Sequence, residues 1–263
     1  MPEIFNELKL WFEQYVEQFK YKNQKDQEQI DLKYHHSYRV LDEIINIARS
    51  LNLNEEDMDT AKIIGLFHDI GRFEQYDRYK TYSDARSLDH AELGVEILKK
   101  NNLLTKVDTK RREIIYRAIS YHNKKYLSEK LFVNKLDGLR YAKMIRDADK
   151  LDIWNIFLKT YYKSKDKSNI NINLSSEKNI SKEVYDKTKN REFINYQKIV
   201  TEDDLKLMQM GWVYDLNFEE SLRAVKKRGY LDKIYQSMSP LEEAEEIYQE
   251  IKDYLNRNIN IRI

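Results

Sequence analysis

Four histidines and two aspartates interrupt the apolar patterns of separate helical segments, and these are the residues that could do chemistry. In GLFHDIGRFEQY, residues 65–76, the pair His68-Asp69 ends a run that reads as a buried helix. Ala61, Ile64 and Gly65 precede His68 by seven, four and three residues, so the imidazole continues an apolar stripe. His36 lies four residues before Val40 on the stripe Val40, Ile44, Ile47, Leu51, whereas His35 shares the polar face of Arg39, Asp42 and Asn46. His90 heads the face of Leu93, Gly94 and Ile97, and His122 follows Ile115, Ala118 and Ile119 in register. Asp149 stands four after Ile145 and four before Ile153; Asp152 shares its side and Asp147 does not. Polar groups on core faces need partners, and a metal ion satisfies imidazoles and carboxylates together. With no cysteine in the chain, any metal must be held by nitrogen and oxygen.

One histidine on an apolar face is more often a satisfied core residue than a ligand. Convergence changes that balance, because one metal centre accounts for all six groups and separate partners would be needed otherwise. The ordered set His36, His68-Asp69 and Asp149, ending in RDADKLD, resembles the HD-domain superfamily of metal-dependent phosphohydrolases over residues 30–160. The resemblance implies an all-α, HD-domain-like helical bundle, here followed by additional C-terminal helices. It also implies these four residues as ligands, and His90 and His122 as the added pair of two-metal members, with Asp69 bridging. Two divalent ions are therefore expected, from Mn, Fe, Co, Zn or Ni. The activity it implies is phosphohydrolase or phosphodiesterase action on a small phosphorylated substrate, a nucleotide among the candidates, through metal-activated water. Arg72, three residues after Asp69, is expected beside the transferred phosphate together with catalytic Asp69; Arg39 and Lys150 are further substrate-binding candidates. Two other readings stand beside this one. A di-iron HD-type oxygenase would use the same ligands with O₂, and a regulatory module would bind metal without catalysis.

These groups must be positioned by helices. Six glycines and two prolines in 263 residues favour long helices over turn-rich folds. Apolar residues recur at helical spacing from about 34 to 160, giving a metal-binding core over 1–163. Ser164–Lys182, SKDKSNININLSSEKNISK, lacks periodicity and reads as a polar loop or connector. Residues 183–263 resume helical patterning, without histidine, as an extension packed on the core. Capping patterns occur at Asn54…Asp57, Thr201…Asp204 and Asn217…Glu220, and Ser239-Pro240-x-Glu242 precedes the amphipathic LEEAEEIYQEIKDYL. Trp212, Tyr214 and Phe218 could shape a pocket or a dimer surface, so a homodimer is admitted. A net charge of +1 gives no field for long nucleic acid and suits a small anion. No apolar run of about 18 residues exists, and acids interrupt the N-terminal pattern, which reads as cytoplasmic with no membrane partner.

Overall fold

The computed structural model describes residues 2–127, 136–161 and 174–259. Among them the protein is all-α, and the sole β pairing is an isolated bridge between Ser175 and Thr201. No helix among the described residues is long and apolar enough to cross a membrane.

Two compact units divide the chain, Met1–Asp149 and Lys150–Ile263. In the first, α1 (Pro2–Glu17), α2 (Gln24–Ser50), α3 (Glu55–Phe67), α4 (Gly71–Tyr79), α5 (His90–Lys100) and α6 (Thr109–Tyr121) are followed by α7 (Leu136–Ile156), within which the boundary falls. Most of the stripe read from the sequence is packed, with Val40, Ile44, Ile47, Ile64, Ile115, Ile119 and Ile145 buried, whereas Leu51 is exposed because α2 ends there and Leu51 is its C-cap. Phe12 of α1 anchors this core, edge-on to Phe67 and Phe73 at 5.7 and 5.9 Å between ring centroids. Asn54 caps α3 by accepting from the Asp57 amide, as the sequence pattern predicts.

Two glycines set how closely these helices approach. A Cβ at Gly65 would stand 2.6 Å from Ile44 Cγ2, so α2 and α3 meet at a contact only hydrogen allows. At Gly71 a Cβ would stand 2.2 Å from the His90 carbonyl oxygen and 2.8 Å from the Gly94 amide, which draws α4 against the start of α5.

The second unit contains the end of α7, α8 (Lys182–Lys189), α9 (Glu202–Gly211), α10 (Glu219–Arg228), α11 (Tyr230–Gln236) and α12 (Glu242–Ile259). Its core holds Trp154, Val184, Leu205, Leu207, Val225, Ile234, Ile247 and Ile251. Trp154 satisfies its indole N–H on the Gln209 carbonyl at 3.1 Å, and Trp212 and Tyr214 pack against the same cluster. Thr201 and Asp204 form the complete capping box expected for α9. Two expected helix starts are displaced. Phe218, not Asn217, is the N-cap of α10, and the Asn217 amide instead donates to the Asp215 carbonyl, a local turn bond that competes with capping. Helix α12 begins at Glu242, two residues after Pro240, because Leu241 accepts the first helical bond from Glu245. Residues 164–173 of the polar stretch lie outside the described residues; 174–181 are non-helical.

Candidate metal centre

Each histidine of the cluster owes its direction to its place on a helix. His36 lies mid-way along α2 on the buried face. His68 and His122 occupy the C-terminal caps of α3 and α6, where the backbone keeps helical torsions and the stripe continues one residue past the helix. His90 is the first residue of α5, behind its N-cap Asp89. Asp69 follows His68 in a tight turn, closed by the Arg72 amide on the Asp69 carbonyl at 2.9 Å, before α4 begins.

These residues converge in the first unit. His36 Nε2 stands 3.5 Å from Asp69 Oδ2 and 3.2 Å from Asp149 Oδ1, and His68 Nε2 lies 3.2 Å from His36 Nε2. On the other carboxylate oxygen, His90 Nε2 and His122 Nε2 lie 3.2 and 3.6 Å from Asp69 Oδ1, and 3.1 Å from each other. Asp69 thus stands between two ligand sets, one oxygen turned to each.

The hydrogen positions identify what these sets want. His122 Nδ1 donates to the Ile119 carbonyl at 2.6 Å, and His90 Nδ1 donates to Asp84 Oδ2 at 2.7 Å. In the tautomer with hydrogen on Nδ1 each Nε2 carries a lone pair, and the two face one another across 3.1 Å with a carboxylate oxygen beside them. Electron pairs this close repel unless a cation lies among them, so the donor set fits a divalent ion. His68 donates from Nδ1 to the Gly65 carbonyl at 2.9 Å, which leaves the lone pair on the Nε2 that faces His36. Burial holds its pKa down to about 3, despite Asp69 and Asp149 nearby, so the ring is neutral and ready to ligate near pH 7.

Burial alone would raise Asp69, but the Lys33 ammonium and the surrounding imidazoles outweigh it and keep its carboxyl well below the ordinary range. Asp149 is lowered in the same way, with His36 and His68 overcoming its desolvation. Lys33 Nζ donates to Asp69 Oδ2 at 2.8 Å. Helical spacing could have revealed it, since Lys33 is three residues before His36 on α2. Asp84, in the 3₁₀ turn Asp84–Arg86, carries no periodic signal, and sequence reading misses it.

Residues 34–154 match the family model of the HD domain. The chain carries an HD domain. No curated protein and no solved structure matches it. The HD domain contains the whole ligand set, and its buried His/Asp groups could hold metal: His36-His68-Asp69, His68-His122-Asp149 and Asp69-His90-His122 each bring ligand atoms together.

The other expected site residues are placed as follows. Arg72, on the first turn of α4, has Nε 3.6 Å from Asp69 Oδ1, while its Nη1 donates to Asp84 Oδ1 at 2.9 Å, to Gln75 and to the Tyr82 carbonyl. Lys150 pairs with Asp215 at 2.8 Å in the second unit. Arg39 is half-buried on α2, and His35 is exposed with its ring edge-on to Tyr34. Asp152 is buried and accepts from Asn155.

Proposed function

We propose that this HD domain is a metal-dependent phosphohydrolase or phosphodiesterase that acts on a nucleotide or another small phosphorylated molecule. The observation that carries the reading is Asp69: a buried carboxylate with each oxygen facing its own pair of imidazole Nε2 atoms. Two ions would be held by His36, His68 and Asp149 on one side and by His90 and His122 on the other, with Asp69 shared. Divalent ions in such a pair supply a Lewis acid for a phosphoryl oxygen and lower the pKa of water toward neutrality.

The chain's own residues prepare that chemistry. The Gly65 and Ile119 carbonyls fix the tautomers of His68 and His122, so their lone pairs are oriented in advance. Lys33 and Arg72 set positive charge on either side of Asp69, which favours an anionic substrate over a neutral one. No serine or cysteine nucleophile is needed.

The deciding experiment is a screen of phosphate release over a panel of nucleotides and phosphoesters, run with Mn²⁺, Co²⁺, Zn²⁺ and Fe²⁺, with and without O₂. Ester cleavage with a redox-silent ion under anaerobic conditions is expected. Turnover that demands iron and consumes O₂, with no ester cleaved, would replace this reading by an oxygenase.

A further inference from the structure

His90 differs from its neighbours in how its outer nitrogen is satisfied. His68 and His122 follow a helix, and each uses the carbonyl three residues earlier, Gly65 or Ile119. His90 starts a helix, so no preceding helical turn offers it a carbonyl. A carboxylate takes that place: Asp84 Oδ2 and Oδ1 lie 2.7 and 2.9 Å from His90 Nδ1.

Asp84 is held from three directions. Its Oδ1 accepts from Arg72 Nη1 and Gln75 Nε2 of α4, both at 2.9 Å, and its Oδ2 accepts from Asn123 Nδ2 at 3.3 Å, just past α6. Gln75 is fully buried and also donates to Ser87 Oγ and the Leu88 carbonyl, which pins the loop carrying Asp84.

The two ligand sets are unequal in charge. Asp149 lies within 4 Å of His36 and His68 beside one Asp69 oxygen, while among the described residues the carboxylate oxygen within 4 Å of both His90 Nε2 and His122 Nε2 is the other Asp69 oxygen. A carboxylate behind an imidazole raises the ring's basicity as a ligand and fixes its orientation. Resting on the two-ion reading above, we propose that Asp84 is the positioning residue that makes the His90-His122 side competent for its ion. Arg72, Gln75 and Asn123 hold Asp84 in place, and Arg72 bears on this ion through Asp84.

The test is a metal titration of the full chain, stripped with chelator and reloaded with Mn²⁺, followed by calorimetry and by electron paramagnetic resonance of free Mn²⁺. Wild type is expected to take up two ions. Asp84→Asn should weaken one of them by about 10–100-fold and leave the other within about twofold, as loss of such an outer carboxylate does elsewhere. Asp84→Glu should restore part of the loss, and Arg72→Ala should weaken the same ion to a smaller degree. Circular dichroism melts of each variant establish that it is folded. Two ions bound by Asp84→Asn as tightly as by wild type would overturn the role of Asp84 and leave the two-ion reading standing, as would equal weakening of both ions. A wild type that takes up a single ion would overturn both.

Discussion

At the scale of single residues, the adjacent histidines of α2 give the sharpest contrast. His36 is buried against Asp69 and Asp149, and His35 is exposed. Asp69→Ala is expected to empty the metal centre and abolish turnover, because the Asp69 carboxylate lies within 4 Å of all four imidazoles; His35→Ala should change neither. Elemental analysis of the purified variants checks both outcomes, and equal metal loss in the two would reverse the choice of histidine. A second expectation concerns acid. Folded His68 resists protonation until about pH 3, whereas unfolded His68 takes a proton near 6.5, so the unfolded state binds more protons between these values. Stability of the metal-stripped protein should therefore decline as pH falls from about 6.5, by up to about 1.4 kcal/mol per unit from this group. Asp69 and Asp149, both depressed in the folded state, add to the loss once pH falls through the ordinary carboxylate range near 3.8. Thermal melts of the chelated protein from pH 7.5 to 4.5 measure this; a midpoint flat down to pH 4.5 would contradict the neutral, buried His68. The inward placement of the histidines was legible because an imidazole on an apolar stripe breaks a visible period. Asp84 was not, since an aspartate in an aperiodic turn is ordinary, and Lys33 showed only as the residue one helical turn before His36.

Among the elements, what the sequence reveals divides at the helix ends. Helix faces follow from spacing, and Asn54 and Thr201…Asp204 cap where the pattern places them. Asn217 and Pro240 do not, because a short turn bond or an extra residue shifts a terminus at little cost in energy. The close approaches at Gly65 and Gly71 are a further thing that periodicity cannot express: a glycine on a stripe reads as weak apolar, while the structure uses it as absence of a side chain. Asp204 is the most heavily used cap. Its Oδ2 accepts from the amides of Val200 and Thr201 and from Ser181 Oγ, and its Oδ1 accepts from the Ser181 amide. Asp204→Ala would leave the buried Thr201 amide and the half-buried Ser181 donors without this acceptor and is expected to destabilise the protein by about 3 kcal/mol. Urea unfolding measures it, and a loss below about 1 kcal/mol would show that water reaches these amides.

For the whole molecule, every residue proposed to hold metal lies within the first compact unit, of which Asp149 is the last residue. An ion that binds only the folded form stabilises it by about 2.7 kcal/mol at a hundredfold excess over its Kd. Adding a chelator should accordingly accelerate amide hydrogen exchange in α2, α3, α5 and α6, with a smaller change in α9 to α12; equal acceleration in both sets would mean that the two units unfold as one. The ligands also differ in access to solvent. Asp149 has a side chain 22% exposed, whereas those of His36, His68, Asp69, His90 and His122 are at most 4% exposed. That asymmetry sets an order in time. An ion coming from solvent would meet Asp149 before the buried imidazoles, and a departing one would leave past it. Asp149→Ala should therefore leave a slower capture and a faster escape on the His36-His68 side, so the residue governs how long the centre stays loaded as well as how tightly.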